Sequence, residues 1–285
     1  VRPILFDIFG WGVPSWHFFF VLAALTAYGV AAASARRLAQ AGYDAAQEFL
    51  SELSQIFIVC YVSGWFGARA LSIWVEQFEV RTLPQFIEAL FSFGPMTFYG
   101  GALAAVLCGC AYVRWRALEL KSALDCGVVG GVFALGVGRV GCFLNGDDYG
   151  AAIGNQSEPP WWAVRFDVLQ DGGLYRYPVQ LEETIASLLI GCFGFYLLRR
   201  FYFLESAAST ARPARAGHTA AWVALLSAAH RFVNEGFRGD PRGLFFGTQI
   251  STSSGISLLI VVFCAYCLVR LQRTSHSVAS TREDT

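Results

Sequence analysis

Long apolar runs broken by short polar segments dominate this chain. A helix needs about 20 apolar residues to cross a bilayer, and seven stretches qualify: about Pro14–Ala35, Leu50–Trp74, Met96–Val113, Ala123–Asn145, Val179–Leu198, His218–Gly236 and Thr248–Val269. The second is the least purely apolar and carries Arg69. The first ends in Arg36-Arg37 with no small-residue cleavage site after it, so it reads as a retained span. Val75–Pro95 leaves room for a short interfacial helix. Gly146–Tyr177 holds the turn formers Pro159-Pro160 and Gly172-Gly173, and its Trp161-Trp162 pair suits a headgroup layer. Beyond Gln272 the chain is polar and is expected to be disordered. No repeat at a fixed period interrupts this pattern.

Composition agrees. Of 285 residues 55% are hydrophobic and 15% charged, with a formal net charge of zero. Mean hydropathy is +0.47. These values exclude a soluble globular domain and give no electrostatic case for nucleic acid. The basic residues are instead sorted by position. One set of loops holds twelve: Arg36, Arg37, Arg114, Arg116, Lys121, Arg199, Arg200, Arg212, Arg215, Arg270, Arg273 and Arg282. The other holds six: Arg2, Arg81, Arg165, Arg176, Arg238 and Arg242. The richer set is expected on the cytoplasmic side, which puts the N-terminus outside and the C-terminus inside. Seven of the eight cysteines sit in apolar runs and read as small hydrophobes. Cys108-x-Cys110 and Cys264-x-x-Cys267 lack the further ligands of a zinc site, so no metal is expected.

The chemistry concentrates where polar residues enter the apolar runs. Gly138-Arg139-Val140-Gly141-Cys142-Phe143-Leu144-Asn145-Gly146-Asp147-Asp148-Tyr149-Gly150 closes the fourth span. An arginine there costs about 2.5–3.5 kcal/mol unless its charge is compensated. A phosphate headgroup or an acidic side chain would serve. Gly138 and Gly141 leave room for a ligand or a neighbouring helix, and Gly127 with Gly131 forms a small-xxx-small pair. The bland alternative is an arginine that snorkels to the outer surface.

A second constellation is His230-Arg231-Phe232-Val233-Asn234-Glu235-Gly236-Phe237-Arg238. Helical spacing puts Arg231, Asn234, Glu235 and Arg238 on one face. Arg231 and Glu235 either neutralise each other as a structural pair, or Glu235 holds Arg231 for a phosphate. Arg69, in Gly64-Trp65-Phe66-Gly67-Ala68-Arg69, is a third arginine at the outer level. Thr97-Phe98-Tyr99-Gly100-Gly101 opens the third span at the same level, with room for a cavity beside Tyr99. An anionic lipid headgroup, entering sideways from the bilayer, would account for the three arginines together.

These residues resemble the bacterial prolipoprotein diacylglyceryl transferases. The Gly138–Gly150 run is similar to that family's G-R-x-G-N-F-x-N-G-E-x-x-G signature. Pro3-Ile4-Leu5-Phe6 with Trp16 resembles its N-terminal segment, and Met96-Thr97-Phe98-Tyr99-Gly100-Gly101 its M-S-F-H-G-G. Tyr177-Pro178-Val179-Gln180-Leu181-Glu182-Glu183 resembles its H-P-S-Q-L-Y-E, and Arg231 to Arg238 its R-x-x-x-E-x-x-R. The likeness covers nearly the whole chain. It implies an all-α polytopic membrane protein, a bundle of about seven transmembrane helices with a small periplasmic head. Residues 1–272 would form one integral membrane domain, followed by a polar cytoplasmic tail over 273–285.

The resemblance further implies an enzyme of the bacterial inner membrane. It would move a diacylglyceryl group from phosphatidylglycerol to the lipobox cysteine of a preprolipoprotein, with thioether formation and release of glycerol phosphate, and it would need no cofactor. Arg139 and Arg231 would stabilise charge on the leaving phosphate, with Tyr99 beside the reacting groups. Arg69, Asn145, Gly146, Asp147, Gly150, Gln180, Glu235, Gly100, Gly101, His17 and Cys142 would line the substrate site. Four positions depart from the family pattern: Tyr99 for its histidine, Cys142 for its signature asparagine, Asp147 for its glutamate, and His17 for an aromatic hydroxyl. The group that takes the thiol proton stays open among Tyr99, Asp147, Asp148 and His17. The competing class is a diverged lipid-binding or lipid-moving membrane protein, or a transferase using the same donor on another acceptor.

Overall fold

The structure is a computed structural model. It describes residues 2–8, 10–76, 80, 82–92, 94, 96–154, 159–204, 215–240 and 250–283, with backbone alone at 8, 75, 76, 154, 204 and 274–283. Of the basic loop residues, Arg81, Arg212 and Arg242 lie outside the described residues.

Among the described residues, eight α-helices follow a short hairpin of β1 (Ile4–Ile8) and β2 (Trp11–Pro14). They are α1 (Ser15–Gln40), α2 (Asp44–Glu76), α3 (Leu83–Phe91), α4 (Phe98–Trp115), α5 (Leu120–Asn145), α6 (Val179–Arg199), α7 (His218–Glu235) and α8 (Thr252–Glu283). A second small sheet, β3 (Ala152–Gly154) with β4 (Tyr175–Arg176), lies between α5 and α6. Among the described residues, α1, α2, α4, α5, α6 and α8 are long and apolar enough to cross a membrane. The chain is a mostly helical, polytopic membrane protein. The seventh expected span is a helix too, but α7 carries His230, Arg231, Asn234 and Glu235 in its last two turns, and this polar content separates it from the other six.

Two sequence expectations need correcting. The tail beyond Gln272 is not irregular, since α8 continues to Glu283. No proline or glycine interrupts that stretch, so the hydrogen-bond ladder of the span propagates through it. The small-xxx-small pair is also misplaced. A Cβ added at Gly127 or Gly131 would meet nothing within 4 Å.

The chain forms two compact units, Val1–Gly42 with Leu124–Thr285, and Tyr43–Ala123. In the first, small residues let helix backbones approach. A Cβ at Gly130 of α5 would strike the Ala27 carbonyl of α1, and one at Gly141 would strike Phe19. Gly191 of α6 faces the Phe133 ring, and Gly194 sits between Val129 and Val223. Thr184 donates to Gly136 O at 3.1 Å, tying α6 to α5. Large apolar side chains point outward instead, among them Leu25, Ile185, Leu189, Leu259 and Phe263. Apolar surface outside and small residues between helices is the arrangement a lipid solvent favours.

At the end of this unit opposite Arg231, the fully buried Asp125 of α5 accepts hydrogen bonds from Gly217 N and Ala220 N, each at 2.7 Å, and from Tyr202 Oη at 2.9 Å. A carboxylate thereby satisfies orphan donors at the N-terminus of α7 and complements its dipole.

The second unit is built on α2 against α4. Gly67 and Gly100 face each other so closely that a Cβ on either would collide with the other's carbonyl, and Gly101 approaches Gly64 O. The expected interfacial helix is α3, opened by a capping box between Thr82 and Gln85. Arg69, 2% exposed, donates to Ala89 O at 2.9 Å and Ser92 Oγ at 3.0 Å at the end of α3.

Candidate functional site

The signature run folds as the end of α5 and a tight reversal. Gly146, at φ 83°, takes the left-handed conformation that ends the helix, and its amide bonds to Cys142 O at 2.9 Å. Asp148 is also left-handed, at φ 55°, a position aspartate tolerates better than bulkier residues. Together they turn the chain back, so that the Asp148 carboxylate meets Arg139 on the helix it has just left.

Arg139 is 7% exposed. Its Nε donates to Glu183 Oε2 on α6 at 2.6 Å. Nη2 lies equally near that oxygen, at 2.6 Å, but only Nε is aligned as a donor. Nη1 forms an ion pair with Asp148 and lies 3.6 Å from Cys142 Sγ. Arg231 of α7 reaches the same Glu183 oxygen from the other side, at 3.2 Å, and pairs with Glu235 at 3.2 Å. The Ser253 hydroxyl of α8 accepts from Arg231 Nη2 at 3.4 Å.

A third arginine completes the chain of charges. The strand-like segment after α7 pairs with the turn after Asp148: Ala151 N donates to Phe237 O at 2.8 Å, and Gly239 N to Tyr149 O at 3.0 Å. This places Arg238 against the other Asp148 oxygen and against Asp240, at 2.9 Å. The order is Arg231, Glu183, Arg139, Asp148, Arg238, Asp240. Cations and anions alternate, which is how charges withdrawn from water become tolerable. Burial acts against the Arg238 charge, yet Asp148 and Asp240 hold its guanidinium above the ordinary range.

The compensation anticipated for Arg139 thus comes from acidic side chains, Glu183 and Asp148. The Arg231–Glu235 pair forms, but it is one link of a longer network. Asp147, at the motif position of the family's glutamate, makes no ion pair with Arg139 among the described contacts and lies instead beside Cys142 and Asn145. It accepts from Asn145 Nδ2 at 2.8 Å, and its backbone carbonyl accepts from the buried Gln180 at 2.8 Å. Burial pushes its carboxyl above the usual carboxylate range, with Asp148 adding to the rise and Asn145 opposing it. Cys142, Asp147 and Asp148 each offer one potential ligand atom within 4.8 Å of the others, but two arginines already hold Asp148.

Gly150 is needed for packing, because a Cβ there would strike Tyr177 O. Arg176 fastens the same region. It lies 4.5 Å over the Tyr149 ring and donates to Gly150 O at 3.0 Å and to Asp171. That contact draws the Asp171 carboxyl below its usual range.

Not every expected residue joins the network. His17 is exposed on α1 with its ring edge-on to Trp16 at 5.1 Å. Arg69, Tyr99, Gly100 and Gly101 belong to the second unit. There Gly100 and Gly101 face the α2 backbone rather than a cavity, and Arg69 holds the end of α3. Tyr99 opens α4 with its ring edge-on to Phe98 at 5.6 Å. Sequence reasoning did not assign Glu183 or Ser253 to the site, nor Arg238 with Asp240. Glu183 stands at the glutamate of the H-P-S-Q-L-Y-E resemblance, three residues after Gln180, and that was the available signal.

Arg139, near the end of an apolar helix, thus has two charged partners, supplied by the Asn-Gly-Asp-Asp turn and by α6. The profile of the prolipoprotein diacylglyceryl transferase family matches residues 3–270. The chain belongs to this family. A relative from Clostridium perfringens, phosphatidylglycerol–prolipoprotein diacylglyceryl transferase 2, is 29% identical over 265 residues, 92% of each chain. The phosphatidylglycerol–prolipoprotein diacylglyceryl transferase of Clostridium tetani is 23% identical over 265 residues, covering 92% of this chain and 94% of its own. That of Streptococcus mutans is 29% identical over 185 residues, 65% of each.

Proposed function

We propose that the protein transfers a diacylglyceryl group from phosphatidylglycerol to the lipobox cysteine thiol of a preprolipoprotein, releasing glycerol phosphate. Family membership supplies the reaction class, and the supporting observation is the carboxylate of Asp148 bridging two guanidiniums. One of its oxygens meets Arg139 and the other Arg238. A phosphodiester presents the same pair of anionic oxygens, and planar guanidiniums suit it. The Asp148 side chain is 34% exposed, against 9% for Arg139 and 2% for Arg238. An arriving headgroup therefore competes with the most accessible member of the cluster while the arginines stay fixed.

Fixed cations raise catalysis when charge grows on the leaving oxygen, because they need no reorganisation at that moment. Arg139 and Arg231, joined through one Glu183 oxygen, are assigned that part. Asn145, Gly146, Asp147, Gly150, Gln180, Glu235 and Cys142 shape the pocket around them. In this reading residues 1–272 act as one membrane domain in the bacterial inner membrane, with the Asp148 turn outside and the C-terminus in the cytoplasm.

The test is a transfer assay in nanodiscs with phosphatidylglycerol and a lipobox peptide, following glycerol phosphate release and peptide mass together. Release with a diacylglyceryl mass gain, abolished by Arg139→Ala, is expected. Lipid binding with neither product would replace the enzyme by a lipid-binding relative.

A further inference from the structure

A thiol ordinarily ionises near pH 8.5, so attack at neutral pH benefits from a positioned base. The chain has four histidines. His218 is 3% exposed at the start of α7 with Nδ1 against Arg215 O, and His17 lies outside the charge network. The His276 side chain is not described. His230 stands apart from these. Its Nε2 lies 2.7 Å from Glu182 Oε1, and Asn234 donates to the other Glu182 oxygen. Asn234 is 2% exposed and also donates to Val179 O at 3.3 Å, so the residue that holds the carboxylate is itself anchored to the start of α6.

This pair sits beside the arginine network. Glu182 and Glu183 are consecutive on α6, and His230 and Arg231 are consecutive on α7. The same turns of the two helices therefore carry the His230–Glu182 and Arg231–Glu183 contacts. Glu182 is also reachable. Its side chain is 54% exposed, and it lines an apolar groove with Trp161, Trp162, Leu181, Ile185 and Leu189. A carboxylate accepts only, so Nε2 carries the hydrogen, and in the neutral ring Nδ1 has the lone pair.

We infer that His230, oriented by Glu182 and Asn234, accepts the proton of the peptide thiol; the inference rests on the transfer reaction proposed above. The S–H proton moves to Nδ1 as the sulfur attacks the glyceryl carbon. The C–S bond forms, the C–O bond to phosphate breaks, and the electron pair leaves on the phosphate oxygen. The imidazolium then returns its proton to glycerol phosphate. Among the described residues the charged group in contact with the ring is Glu182. Glu183 of α6, with Arg231 and Glu235 of α7, lies nearby, and α8 contributes the Ser253 hydroxyl.

The experiment measures transfer in nanodiscs between pH 5 and 9 for the wild type, His230→Gln and His230→Ala. The wild type is expected to gain rate with pH across the range where imidazoles change charge, about 5 to 8. His230→Gln should lose about 100-fold or more in kcat while still binding phosphatidylglycerol vesicles. Added imidazole should restore part of the His230→Ala rate. A wild type without an acid limb, a His230→Gln rate within about threefold of wild type, or no rescue of folded His230→Ala would overturn the assignment. Absence of transfer by the wild type would instead remove the reaction on which it rests. The thiol's own ionisation also raises the rate with pH, so the acid limb counts for His230 together with the loss in His230→Gln or the rescue of His230→Ala.

Discussion

Arg139 Nε and Glu183 Oε2 meet at 2.6 Å across two helices, with 9% and 5% of their side chains exposed. The same carboxylate serves Arg231, so removing it leaves two buried guanidiniums short of a partner. Breaking one side of a buried pair typically costs about 3–5 kcal/mol. Glu183→Ala should lose that much stability in detergent unfolding curves, and Glu183→Gln, which keeps an acceptor, should lose less. An unchanged midpoint for Glu183→Ala would mean Asp148 and Glu235 suffice.

In the proposed reaction Asp148 competes with the anionic headgroup, so neutralising it should help binding. Asp148→Asn is expected to tighten association with phosphatidylglycerol vesicles severalfold while lowering stability, because Arg139 and Arg238 lose an ionic partner. Weaker binding in that variant would show that Asp148 chiefly orients the arginines.

Asp147 bears on stability with the opposite sign to most carboxylates. Its folded-state affinity for a proton is raised by burial, so the folded chain holds that proton more tightly than the unfolded chain does. Its contribution is neutral below the ordinary carboxylate range and becomes destabilising as pH rises through the raised value. Asp147→Asn should therefore stabilise at pH 7 and change little at the acid end, with the Asn145 contact retained through a carbonyl oxygen. Chemical denaturation at two pH values measures this, and equal effects at both would contradict it.

The glycines separate cleanly by position. Gly100→Ala forces a Cβ into the Gly67 carbonyl and should cost about 1–3 kcal/mol through overpacking. Gly131→Ala meets nothing within 4 Å and should be neutral or stabilising by up to about 1 kcal/mol through helix propensity. Thermal melts of the two variants distinguish these signs.

Apolar run length was enough to place the helices, because lipid demands continuous backbone pairing and penalises polar interruption. The motif residues Arg139, Arg231, Glu235 and Asp147 were visible for the same reason, since a charge in an apolar run is conspicuous. Partner choice was not visible. Whether Asp147 or Asp148 faces Arg139 depends on two left-handed residues in one turn, and a one-residue rotation exchanges the two carboxylates. Glu183 was legible as the glutamate of the Tyr177–Glu183 motif, but nothing in the local pattern says that it, rather than Glu182, meets Arg139 and Arg231. Gly127 and Gly131 had the right spacing for close contact on the wrong face. Spacing sets which residues share a face, but only the partner helix decides which face is used.

The buried Asp125 carboxylate also acts as a key that sets the rotational phase of α7. A rod clamped at one end keeps its azimuth along its length, and His230 stands twelve residues, about 18 Å, from His218 at the clamped start. The azimuth fixed there decides whether His230 meets Glu182 and Arg231 meets Glu183, or whether both swing past. A residue at the opposite end of the helix thus governs the alignment of the His230–Glu182 and Arg231–Glu183 contacts.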